Sequence, residues 1–409
     1  MAHQKNKNFY VVRDGDYMRG GLSQEISRQE MGMEEIRQHK AKYAKRALII
    51  ATVAAVVGAA VFLYLYLQTY TGARIVDTYK VGNASDNSYQ EFAGGVLKYS
   101  RDGIAYLDSG GEEQWNHPYQ IKNPCLDVNS QSAAVADKGG NNIMVFQKDG
   151  LKGEIKTTLP IERVAVSEQG IVAAVLKNES TPRIICYDTA GNVLVEHKSS
   201  LTGGGYPVDI AISPNGEMMQ IVYLSVSGGE MMSRVCYYNF GEAGAEKIDH
   251  QVAAKEYKGS VMGSGFFIDE TVSAAVGDNC LTIFKGVEEP KETATVKIKG
   301  EIQSVFHSDK YVGILLKTEG GRRHELCLYN TSGKLVLSRG FGGTYKAAKI
   351  SGGQIILYDG KKCSIYTRFG VHRFEGEMDN HILEIFPAFG INKYIVMDAN
   401  GMEDIRLIK

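Results

Sequence analysis

One phrase recurs eight times between Leu107 and Ile408: a short apolar strand, a polar turn and, in most copies, a glycine four residues past the strand's last large apolar side chain. Those side chains are Leu107, Phe146, Tyr187, Tyr237, Phe284, Tyr329, Tyr366 and Ile408, spaced 37 to 50 residues apart. A period near forty built from strands and turns predicts an all-β fold, an eight-bladed β-propeller, with seven blades the principal alternative. A lone four-stranded blade leaves both its faces uncovered, so the array must fold as one closed unit.

Each repeat reads as strands a, b and c, with d after the turn. The b strands are short apolar runs bounded by turn residues: Val96–Tyr99, Ala133–Ala136, Ile171–Leu176, Ile221–Leu224, Val272–Val276, Tyr311–Leu316, Ile355–Tyr358 and Tyr394–Met397. Val208–Ile212, Gln303–His307 and Ile382–Phe386 read as a strands. In Tyr187-Asp188-Thr189-Ala190-Gly191 and Tyr329-Asn330-Thr331-Ser332-Gly333, an Asp or Asn folds back on the turn while glycine takes the positive φ. Gly111, Gly150, Gly241 and Gly370 hold the same offset. The eighth repeat stops after its c strand, and the alternating segment Arg74–Val81 is the expected donor of its d strand. Such a loan closes the ring and hides two sheet edges.

Ala47 to Leu67 is uncharged over twenty-one residues, enough at ~1.5 Å per helical residue to cross a bilayer core of about 30 Å. Arg37, Lys40, Lys42, Lys45 and Arg46 flank its N-terminal side, which puts that end in the cytoplasm, and Tyr64, Tyr66 and Tyr70 suit an outer aromatic belt. The expected plan is a cytoplasmic basic, partly helical tail (1–46), a transmembrane helix (47–67) and an extracytoplasmic propeller (74–409) closed by strand 74–81. Thr71 and Ala73 suit a signal-peptide cut, but a 46-residue leader argues against one. Residues 1–46 carry ten Lys/Arg against six Asp/Glu, although the whole chain is near neutral at −1, with no basic footprint for nucleic acid. In the tail, Phe9–Val12 is an apolar island, and a helix is expected from Ser23 or Ser27, with Ser27 and Glu30 at capping-box spacing. Ala51, Ala55 and Ala59 share a face of the span, as do Ala54 and Gly58, a pattern that permits a weak homodimer.

Signatures of chemistry are sparse. Cys125, Cys186, Cys236, Cys280, Cys327 and Cys363 fall one to a blade. Neighbouring sheets stack ~10 Å apart, too far for disulfides, so buried free thiols are expected. No CxxC, GxSxG or HExxH occurs, and the histidines are scattered. Asp209, Asp269 and Glu384 lie in or beside a strands that line the channel, where a carboxylate pair is the one candidate for acid/base work or cation binding. No catalytic, cofactor or metal residue is assigned beyond that, and no cofactor is expected.

The architecture resembles the eight-bladed quinoprotein propellers, but the chain has one tryptophan, Trp115, in place of their repeated tryptophan docking motifs. It also lacks the Gly-His and Trp-Asp dipeptides of WD40 blades. What remains is similar to non-catalytic members such as the barrel-assembly lipoprotein propeller. With its short basic tail, single span and plain propeller, the chain resembles a family of membrane-anchored propellers of unknown function from Gram-positive bacteria. That resemblance implies a fold and a location and transfers no site residue. The expected role is a non-catalytic, protein-binding scaffold at the cell envelope, its contacts sought in Leu201–Tyr206, Ser227–Met232, with Met231 and Met232 exposed, and Arg322–His324. The alternative is a ligand or glycan sensor signalling through a dimeric span.

Overall fold

Short β-branched and aromatic runs that bury both faces cannot stand alone, and in the computed structural model they stack into a ring. Residues 15–80, 87–178, 181–198, 204–318 and 324–409 are described. The Phe9–Val12 island, residues 201–203, and Arg322 and Arg323 lie outside them. The chain divides after Gln68 into two units.

In the first unit one helix runs Gly15–Tyr66, and its Lys42–Tyr66 stretch is long and apolar enough to cross a membrane. It begins earlier than the serines predict, so Ser23 and Ser27 lie inside it. No proline interrupts the segment, and each residue added N-terminally to a formed helix gains a hydrogen bond.

The second unit is an eight-bladed propeller. Among the described residues eight four-stranded antiparallel sheets form, seven of them from consecutive strands. Blades 1 to 7 cover 88–118, 124–156, 161–198, 206–258, 262–297, 301–341 and 347–377. Blade 8 takes its inner three strands from Glu384–Pro387, Lys393–Met397 and Gly401–Ile408, and its outer strand from Gly72–Lys80, with Gly72 opposite Ile408 and Lys80 opposite Gly401. The expected donor segment thus coincides with the borrowed strand over residues 74–80, and Val81 lies outside the described residues. All eight expected b strands are present, with small shifts at their ends.

Eight apolar clusters hold the ring, and each lies between consecutive blades. Phe266, Leu281 and Ile283 of blade 5, for example, meet Val312, Ile314 and Tyr329 of blade 6. All six cysteines are free, and five are buried.

The turn glycines serve two purposes. Gly111, Gly191, Gly333 and Gly370 have φ of +72 to +84°, and each N–H closes a turn on the carbonyl three residues back: Asp108, Asp188, Asn330 and Thr367. The Oδ1 atoms of Asp108, Asp188 and Asn330 accept further turn N–H groups. Each glycine also abuts the preceding blade: a Cβ on Gly333 would meet Ala294 Cβ at 2.7 Å, one on Gly370 Leu337 Cδ1 at 2.6 Å, and one on Gly111 Met402 Cε at 2.6 Å. Gly241 breaks the rule: its φ is −82°, and it precedes the short helix Glu242–Ala245 because blade 4 carries a longer c–d connection.

Gly333→Ala is expected to cost ~2–4 kcal/mol, a backbone penalty plus overpacking. Gly139→Ala, with φ +86° but no atom within 4 Å of its Cβ, should cost only ~1 kcal/mol. Urea unfolding followed by Trp115 fluorescence measures both, and equal losses would remove the blade contact from the explanation.

Candidate functional site

Strands a of all eight blades face the central channel, so their outward-turned polar residues meet there. Two adjoining cavities of about 1190 and 660 Å³ share Val128, Asn129, Ser130, His307, Ser308 and Asp309, and thus form one space that opens among the a–b turns.

In the larger cavity three blades converge on Lys349 of blade 7. Its Nζ lies 2.6 Å from Glu384 Oε1 of blade 8 and 2.9 Å from Glu91 Oε2 of blade 1. Ser351 Oγ donates to Glu91 Oε1 at 3.0 Å, and the Phe386 ring lies 5.7 Å from the ammonium. Burial alone would pull the Lys349 ammonium down, but Glu384 and Glu91 outweigh it and hold it above its usual range. Burial pushes the Glu384 carboxyl up, against the pull of Lys349.

The smaller cavity holds a second set. Asp127 Oδ2 of blade 2 accepts the Val166 N–H of blade 3 at 2.7 Å, and Asp209 Oδ2 of blade 4 accepts the Gly265 N–H of blade 5 at 3.0 Å. Arg163 of blade 3 reaches Asp209 Oδ1 at 3.5 Å. Burial, partly offset by the Val166 N–H and reinforced by Asp209, pushes Asp127 up to about 6. Burial also raises Asp209, against Gly265 and Arg163. His307, exposed at the channel mouth, stacks on Phe266 with ring centroids 4.1 Å apart.

The three acids picked from sequence therefore do not form a pair. Asp209 and Glu384 line different parts of that space, each engaged with a neighbouring blade. Asp269 lines neither: it lies in an a–b turn, where Oδ1 accepts the Thr271 and Val272 N–H groups. Glu91, Asp127, Arg163 and Lys349 were missed. The only hint in the sequence is a charge standing among apolar strand residues, as in Cys125-Leu126-Asp127-Val128, which does not tell a channel position from a solvated one. Among the described residues no group of His, Cys, Asp or Glu is placed to hold a metal ion.

One of the expected contact loops changes character. Ser227–Met232 is the tip of a long hairpin, Met218–Ser227 with Glu230–Asn239, because Gly228 and Gly229 both take positive φ and close a two-residue turn. Met231 is exposed, but Met232 is half-buried. Tyr206 and His324 each begin a strand.

Compared with known proteins, residues 66–407 match a family described as of unknown function, DUF5711. The chain belongs to the DUF5711 family. No curated protein matches it. Among solved structures this DUF5711 member is similar to BamB from Moraxella catarrhalis, at 10% identity over 82% of this chain and 100% of that one, with a TM-score of 0.47. It is also similar to hydrazine synthase from Kuenenia stuttgartiensis (12%, 72% and 96%, 0.44) and to the Pan2 WD40 domain from Neurospora crassa (8%, 70% and 90%, 0.43).

Lys349→Met leaves Glu384 and Glu91 without their cation and should cost ~3–5 kcal/mol at pH 7. The loss should shrink in acid as the Glu384 carboxyl, already pushed up by burial, takes up a proton. Urea midpoints at several pH values check this, and a pH-independent loss would assign it to packing alone. For Asp127, a folded-state pKa raised from 3.8 to about 6 means that ionisation weakens the fold as pH rises through that window. Asp127→Asn keeps an acceptor for Val166, so it should raise stability by ~1–3 kcal/mol at pH 7.5 and by almost nothing at pH 3.5. An equal gain at both pH values would refute the buried charge.

Proposed function

We propose that this chain is a non-catalytic scaffold of the cell envelope: the helix spans the membrane, the basic tail lies in the cytoplasm, and the propeller outside binds a protein partner. The observation that carries this reading is how the channel's ionisable groups are used. Glu91 and Glu384 are engaged with Lys349, and Asp127 and Asp209 with backbone N–H groups of the next blade. Each joins blades, which favours a rigid platform over a reacting centre. The candidate span Lys42–Tyr66, with the cations from Arg37 to Arg46 gathered at its N-terminal end, supports the anchored topology.

The hairpin of blade 4 is the best candidate for the partner surface. Its ten-residue strands carry an exposed cross-strand apolar pair at the tip, Val226 opposite Met231, 69% and 42% exposed. Met adapts to varied apolar partners. A photo-crosslinker at Ser225 in native membranes should therefore capture a discrete protein, and Val226→Asp with Met231→Asp should abolish capture without changing the unfolding midpoint. Capture that survives the double substitution, or no protein captured at all, would remove this reading.

A further inference from the structure

The propeller's two faces differ, and the face from which the a–b and c–d turns emerge is itself divided. The chain enters on this face: Thr71 N–H bonds to Ile408 O, and Thr69 Oγ1 donates to His372 O. Beside that point two aromatic side chains stand in solvent. Phe389, in the a–b turn of blade 8, is 100% exposed, and Phe369, in the c–d turn of blade 7, is 68% exposed. Buried Arg373 ties them to the entering strand, since its Nη2 donates to Ile391 O and its guanidinium lies 5.6 Å from the Tyr70 ring.

Charge is distributed in the same sense. The turns of blades 7 and 8 on this face, residues 352–353, 368–371 and 388–392, contain Arg368 and no acid. Arg368 lies 4.8 Å from the Phe369 ring, and exposed Lys393 lies beside Gly390. Across the ring, the corresponding turns of blades 4 and 5, residues 213–217, 240–250, 268–271 and 286–290, hold eight acids against Lys247 alone.

Exposed aromatics next to cations suit the boundary between lipid headgroups and acyl chains, where rings enter and cations meet anionic phosphates, while a run of acids is repelled. We propose that the blade 7–blade 8 edge of this face is a lipid-binding surface, with Phe369 and Phe389 in the interfacial layer and blades 4 and 5 away from it. The proposal rests on the membrane-anchored reading, because only Leu67 and Gln68 separate Tyr66 from Thr69, which keeps this edge within reach of the bilayer if the helix spans it.

The test uses the full chain in vesicles of phosphatidylethanolamine and phosphatidylglycerol, with the upper acyl chains brominated to quench tryptophan. Phe369→Trp and Phe389→Trp, at exposed positions where folding tolerates change, should each lose roughly half of the emission they add to that of Trp115. Val226→Trp on the opposite face and Ile248→Trp on blade 4 should lose none. Quenching of Phe62→Trp within the candidate span, without quenching at 369 or 389, would overturn this inference and leave the anchor standing. An unquenched Phe62→Trp would overturn the anchor and the inference with it. Equal quenching at Ile248→Trp would show a flat contact and refute the edge.

Discussion

The ladder between Gly72–Lys80 and Gly401–Ile408 is the bond on which the ring depends. Without it blade 8 lacks its outer strand, and the c strand of blade 8 presents a free edge, a template for pairing with other chains. Closure joins the two ends of the propeller sequence, so it forms late relative to the hairpins, whose contacts are local. The borrowed strand even copies a local detail. In the other seven blades the c–d register shifts near the turn, as at Tyr106/Leu107 and Ile365/Tyr366, and here it shifts between Ile75 and Asp77, leaving Val76 exposed.

Stacking the blades then demands close approach at the rim. At Gly111, Gly333 and Gly370 the recurrent glycine is needed twice over, for a left-handed backbone and for lack of a Cβ where the turn meets the preceding blade, whereas Gly150 and Gly191 answer to the backbone alone. This explains why one residue type marks the repeat although the apolar residues around it vary freely among Leu, Phe, Tyr and Ile.

The b strands and the c-strand ends were legible in sequence because full burial forces continuous apolar runs there, as in Ala133–Ala136 and Tyr311–Leu316. The missing d strand was legible by counting. The channel was not. An a strand faces water on one side and a blade on the other, so Asp127 and Lys349 carry no periodic signature, and Glu91 and Lys349 become neighbours only through closure of the ring. Gly241 and Ser227–Met232 misled for a related reason: glycine marks a turn in sequence but not which turn, and blade 4 uses its glycines for an inserted helix and an extended hairpin.

The channel charges also bear on a problem inherent in repeats. Apolar seams between similar blades discriminate poorly among alternative neighbours, since Leu, Ile and Val pack in many combinations. Buried ion pairs add little net stability, because desolvation offsets their attraction, but a mismatched one is costly. Lys349 contacts acids from blades 8 and 1, so it is satisfied only when blade 8 is seated between blades 7 and 1. Asp127 with the Val166 N–H ties blade 2 to blade 3 in the same sense, while the half-exposed Arg163–Asp209 pair at 3.5 Å adds little. The charges that suggest a reaction centre in a one-dimensional reading therefore act as registry contacts in the ring, and the most connected of them stands at the junction that closure must find.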